Sequence, residues 1–266
     1  MSPVGMLQAL WRYRGFVAAS VSREFQVRSR GSALGFVWNL LGPIGNVVVF
    51  TVIFAQVMRA RLPGVGDIYG YGIFLCSGVF AWGLFVEIVQ RGAGMFIEHG
   101  NLLKKASFPK SSLPLIVVLS ALVNFAVAFG IFVVFLFITG RFPGWVVLAA
   151  IPVVALLVAF ATGLATFLGT LNVYSRDVGQ AVPILMQFWF WLTPIVYPIA
   201  AVPEFVRGWF AFNPMAPIVA ALQRIFVEGL PPRWESLALP MLAATLTLFV
   251  GAMTFRANAD NIADEL

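Results

Sequence analysis

Residues able to do covalent or metal chemistry are scarce in this chain. His99 is its one histidine and Cys76 its one cysteine. Neither a CxxC nor an HExxH arrangement exists, and no internal disulfide can form. No G-x-x-x-x-G-K-[ST] loop occurs, so the common backbone cradle for ATP phosphates is missing. His99 falls between apolar runs and reads as a solvated loop residue. Cys76 falls inside one and reads as a small buried residue. No acid or histidine stands deep in any apolar run, which argues against an embedded enzyme and against a proton-coupled pump.

What remains is chemistry of contact. The run from Gln187 to Pro198 contains Phe188, Trp189, Phe190, Trp191 and Tyr197, with Pro194 and Pro198 as helix breakers and Pro183 just upstream. Aromatic faces pack on the C–H faces of sugar rings without fixed hydrogen-bond demands, which suits the shallow binding of a sliding polymer. The competing reading is an aromatic belt at a membrane interface. The segment 101–110 (Asn101, Leu102, Leu103, Lys104, Lys105, Ala106, Ser107, Phe108, Pro109, Lys110) is short, amphipathic and ended by proline. It suits a groove on a cytoplasmic partner, or else a basic anchoring loop. Arg176 and Asp177 stand in a short turn and could be a surface pair of negligible energy.

Leu10, Tyr13, Val17, Val21 and Phe25 recur at spacings of three and four among Arg12, Arg14, Arg23 and Arg28. This predicts an amphipathic helix over 7–30 lying in the membrane interface, its arginines able to pair with phosphate or pyrophosphate. The competing reading is a basic tail. The arginines interrupt any continuous apolar core, so this stretch is not expected to be a cleaved signal.

These residues need positioning elements, and composition says where those live. Of 266 residues, 61% are hydrophobic and 11% charged, against about 25% charged in soluble domains. Mean hydropathy is +0.93. Lipid must therefore be the solvent for much of the chain. The net charge of +6 sits at the ends of apolar runs, so it speaks for topology and anionic headgroups rather than nucleic acid.

Uncharged runs predict an all-α membrane protein with six transmembrane helices, at 34–57, 68–90, 112–139, 145–171, 179–200 and 236–256. The whole chain reads as one transmembrane domain. A segment at 204–224, broken by Pro214 and Pro217, is too short to span and predicts a re-entrant helical hairpin on the outer side, which implies a cavity because such backbone cannot face lipid. With the N-terminus inside, Arg and Lys divide 11 against 6 in favour of that side, with all three lysines there. Both termini are therefore expected in the cytoplasm.

Taken in order, these segments resemble the permease of a type-2 ATP-binding-cassette exporter, closest to the exporters of O-antigen, teichoic acid and capsular polysaccharide. Arg30, Gly31, Ser32, Ala33, Leu34, Gly35, Phe36, Val37 and Trp38, with Pro43, resemble the family's approach to its first span. The segment with Lys104, Lys105, Phe108 and Pro109 resembles its loop after the second. Asn172, Arg176 and Asp177 resemble its N-x-x-x-R-D turn. Trp191, Leu192, Thr193, Pro194, Ile195 and Tyr197, then Asn213 and Pro214, resemble its fifth span and outer element. One departure is Ser29 after Arg28, where the family often has tyrosine.

The resemblance implies a non-enzymatic subunit without cofactor, working as two copies with two copies of a separate ATPase that holds ATP and magnesium. Asn101, Leu102, Leu103, Lys104, Lys105, Phe108, Pro109, Arg176 and Asp177 would face that ATPase. Phe188, Trp189, Phe190, Trp191 and Tyr197 would line the substrate path, and Phe212, Asn213, Pro214 and Met215 an outer gate. Arg12, Arg14, Arg23 and Arg28 would admit the lipid head. The substrate would be a lipid-linked or lipid-anchored polysaccharide, the location a bacterial inner membrane, and further partners membrane lipids and periplasmic export proteins. A drug or simple-lipid exporter of the same architecture, a membrane-embedded transferase and a passive channel are the rival readings. A paired ATPase gene with a sugar-binding extension, activity of the isolated chain, and ATP-independent flux would separate them.

Overall fold

The computed structural model describes residues 37–49, 68–103 and 112–259, together with 15, 19, 52, 110, 261–263 and 265. The expected interfacial helix with Arg12, Arg14, Arg23 and Arg28 lies outside the described residues except for positions 15 and 19. Lys104, Lys105, Phe108 and Pro109 also lie outside them, as does much of the expected first span.

All regular structure among the described residues is helical: α1 Val37–Val49, α2 Ile68–Glu98, α3 Gly100–Leu103, α4 Ser112–Ile138, α5 Ala150–Tyr174, α6 Asp177–Trp191, α7 Glu204–Phe210, α8 Met215–Gln223 and α9 Ala238–Asn258, joined by short 3-10 or π turns. Tyr69–Glu98, Ser112–Ile138, Gly144–Tyr174 and Trp234–Asn258 have 30, 27, 31 and 25 residues and are apolar enough to cross a bilayer, which needs about 20.

The central helix is α2. Of its most apolar stretch 78% is buried, against 17% for α4 and 22% for the stretch ending in α9. It packs against α4, α5, α6 and α8, while α5 also carries α9 on its other side. Small residues make both crossings close. A Cβ on Gly169 would collide with the Gly92 carbonyl of α2, and one on Gly251 of α9 would collide with the Gly163 carbonyl. The helix α4 ends where Gly140 adopts φ +68°. There the Arg141 and Gly140 amides donate back to Leu136 and Phe137 at 2.9 and 3.1 Å, the hydrogen bonds of a left-handed C-terminal cap.

Two expectations change. The fifth stretch, expected as a helix over 179–200, is helical only to Trp191. Its 15 residues extend about 22 Å, short of the ~30 Å hydrocarbon core. Pro194 supplies no amide and disfavours helical geometry at Thr193, which stops the helix. The second change concerns the length of the second helix. The second span, expected over 68–90, is part of a longer helix, for α2 continues to Glu98. Ile88, Val89, Ala93, Met95 and Phe96 continue its buried stripe. Glu87 and Arg91 thus lie within a continuous helix, 3.2 Å apart. His99 caps the same helix, Nδ1 donating to the Met95 carbonyl at 3.0 Å.

Candidate functional site

The break after α6 frees several backbone carbonyls from helical pairing, and each one left unpaired inside the protein costs about 1–3 kcal/mol. Side chains from three other elements satisfy them. Asn213 Nδ2 donates to the Leu192 carbonyl at 2.9 Å and to Thr193 Oγ1 at 3.0 Å. Gln223 Nε2 reaches the Pro194 and Ile195 carbonyls at 3.4 and 3.3 Å. Tyr71 Oη donates to the Val196 carbonyl at 2.7 Å, and Tyr197 Oη to that of Trp191 at 2.6 Å. Thr193 is fully buried and returns its hydroxyl to the Trp189 carbonyl at 2.9 Å.

Asn213 is the hub. Its Oδ1 accepts from Trp189 Nε1 and from the Met215 amide, both at 3.0 Å, so both ends of the carboxamide are fully used. The same bonds fix where α7 turns into α8. Buried Met215, Ile218, Val219 and Leu222 then anchor α8 in the core, while α7 leaves Phe205 and Trp209 exposed. Between α6 and this pair lies a groove of about 450 Å³ walled by Trp189, Leu192, Trp209, Phe210, Phe212, Asn213 and Pro214. It is aromatic on its sides, a surface suited to the C–H faces of carbohydrate, and its one carboxamide is already spent on protein partners.

The aromatic residues singled out from the sequence divide. Trp189 and Phe190 turn inward. The Trp189 ring sits edge-to-face with Phe85 at 5.4 Å and with Trp82 and Phe160 at 6.3 Å, and Phe190 packs on Trp82 at 5.9 Å. Phe188 and Trp191 are exposed on the opposite face of α6. Tyr197 is half-buried against Phe210 at 6.4 Å. Of the expected gate residues, Phe212 is exposed, Asn213 and Pro214 are half-buried, and Met215 is buried.

At the other end of α6, Arg176 and Asp177 are exposed, and Asp177 opens the helix, where a carboxylate favours the helix dipole. Asn172 of the same turn is buried. Its Nδ2 donates to the Ala93 carbonyl of α2 and its Oδ1 accepts from the Gly179 amide, both at 2.8 Å. It therefore pins the start of α6 to α2. Nearby, Asn101 and Leu102 are in α3, whose Leu103 is buried. One 15-residue helix thus joins the exposed turn to the groove.

Sequence reasoning missed a second cavity, of about 350 Å³, between α1, α2 and α4. It is lined by Glu87, Asn124 and Asn46 among apolar and glycine neighbours. Asn124 stands at the middle of α4, and its Nδ2 donates to Glu87 Oε1 at 2.5 Å. The available signals were the asparagine isolated in a long apolar run and the Glu–Arg spacing of four. Gln223 was likewise passed over, because nothing local announces the carbonyls it serves.

Comparison with known proteins agrees with this geometry. A sequence model of the ABC-2 type transporter matches residues 16–227. The O-antigen export system permease protein RfbA of Myxococcus xanthus is 30% identical over 265 residues, covering 99% of this chain and 100% of that protein. Its namesake in Klebsiella pneumoniae is 27% identical across 88% of each chain. The polysialic acid transport protein KpsM of Escherichia coli is 20% identical over 90% of this chain and 92% of its own. With a match spanning most of its length and a helical bundle built for lipid, the chain belongs to the ABC-2 type transporter family.

Proposed function

We propose that this chain is the membrane subunit of an ATP-driven exporter that moves lipid-linked or lipid-anchored polysaccharide outward across a bacterial inner membrane. The observation that carries this reading is the stitched break at 192–197, which opens beside an aromatic-walled groove. Irregular backbone at membrane depth persists only where protein or a water-filled path surrounds it. The near full-length likeness to O-antigen permeases supports carbohydrate as the cargo.

In this reading six spans leave both termini in the cytoplasm, on the side carrying the larger share of arginine and lysine. Two copies of the chain work with two copies of a separate ATPase, which holds ATP and magnesium. ATP-driven closure of that partner pushes on 101–109 and on Arg176 and Asp177. The helix α6, pinned by Asn172, carries the push to Asn213 and the groove. The glycan passes between the two copies along Phe188, Trp191 and Tyr197, with Trp189 and Phe190 backing them. Phe212, Asn213, Pro214 and Met215 gate the outer side, and Arg12, Arg14, Arg23 and Arg28 receive the anionic lipid head.

The test is surface glycan in cells whose own permease is replaced by the Trp191→Ala, Tyr197→Ala double variant. A large loss of glycan with normal amounts of membrane-inserted protein is expected. Undiminished export with both rings gone removes the aromatic path.

A further inference from the structure

Resting on that exporter reading, we infer that the end of α9 and the turn Asn261–Ala263 form a coupling node, which ties the two ATPase-facing segments into one body that presents them to the ATPase. Lys110, the residue after the 101–109 segment, donates from Nζ to the Ala259 carbonyl at the end of α9. Tyr174, just before Arg176 and Asp177, donates from Oη to Asn258 Oδ1 at 3.0 Å. Adjacent residues of α9's end therefore hold the roots of both segments. A lysine at a helix C-terminus also complements the helix dipole there.

The turn beyond adds a plug. Ile262 is fully buried in the cluster that holds Met95 and Phe96 of α2, Leu103 of α3, Leu113 of α4 and Phe255 of α9. Phe96 and Phe255 stack at 5.6 Å within it. Leu103 and Ile262 share one apolar floor, so displacement of α3 is felt at the end of α9. From there the tight Gly163–Gly251 crossing leads into α5. A packed element with two arrangements, biased by a partner, is the physical basis of such transmission.

The experiment uses the complex with its own ATPase, purified and reconstituted in liposomes with its glycan. Tyr174→Phe with Lys110→Met removes the two polar ties and keeps both apolar stems; Ile262→Ala opens the plug. The readout is glycan translocated per ATP hydrolysed, alongside the yield of assembled complex. The expected result is assembly near wild type with the ratio lowered about threefold or more, the size of effect typical of residues along a coupling network. An unchanged ratio in both variants overturns the node, and so does a fall in yield with the ratio intact, which assigns these residues to folding alone. If the wild-type complex moves no glycan on ATP, the exporter reading itself fails, whatever the variants do.

Discussion

The indole nitrogen of Trp189 donates to the side-chain oxygen of Asn213 at 3.0 Å, joining α6 to the α7–α8 turn across 24 residues of sequence. The same carboxamide serves the Leu192 carbonyl freed by the helix break. Its removal therefore unties two elements and takes the side-chain donor away from that carbonyl. Asn213→Ala is expected to destabilise the purified protein by about 2–4 kcal/mol, the sum of several lost bonds. Asn213→Asp keeps the acceptor and is expected to cost less. Thermal unfolding in detergent, followed by tryptophan fluorescence, measures both.

Glu87 pairs with Arg91 one turn below it and with Asn124 from the middle of α4. Leaving one partner of such a set uncompensated costs more than replacing the set. Glu87→Leu is therefore expected to lower the amount of folded protein in membranes. The Glu87→Leu, Arg91→Leu pair is expected to recover part of it. A double variant no better than the single one contradicts this account.

The Gly163–Gly251 contact leaves no room for a methyl group. Gly251→Ala is expected to force α5 and α9 apart and to cost about 1–3 kcal/mol, the usual range for overpacking. Gly130, on α4, faces open space, so Gly130→Ala is expected to be neutral or slightly stabilising. Unfolding midpoints of the two variants, compared side by side, check the contrast.

Asn172 holds α2 and the start of α6 with two 2.8 Å bonds. Asn172→Ala is expected to lower export more than protein amount, because the turn at Arg176 and Asp177 loses its fixed seat. Replacing exposed Arg176 or Asp177 is expected to leave stability within about 0.5 kcal/mol of wild type. Glycan export and thermal unfolding, measured on the same membranes, separate the two kinds of effect.

Much of the site was legible as motif and little as geometry. The Trp-Leu-Thr-Pro run and the Asn-Pro pair both mark the right places, and their union through Asn213 is visible only when α6 and α8 are packed. The Asn-x-x-x-Arg-Asp turn was read for its charges, yet its buried asparagine does the holding. The fifth span was drawn too long because hydropathy has no term for a proline that ends a helix. The pairing of Glu87 with Asn124 was not legible either, since a count of charges does not know that a partner waits on α4.

The sequence by itself determined the solvent, the helical class and the family resemblance. Those depend on runs of side chains and on ordered short motifs, which are properties of one dimension. The tertiary structure alone decided which polar group answers which. Tyr71 reaches Val196 across 125 residues and Lys110 reaches Ala259 across 149. A stranded carbonyl accepts a donor from anywhere in the fold, and no local pattern records which one arrives.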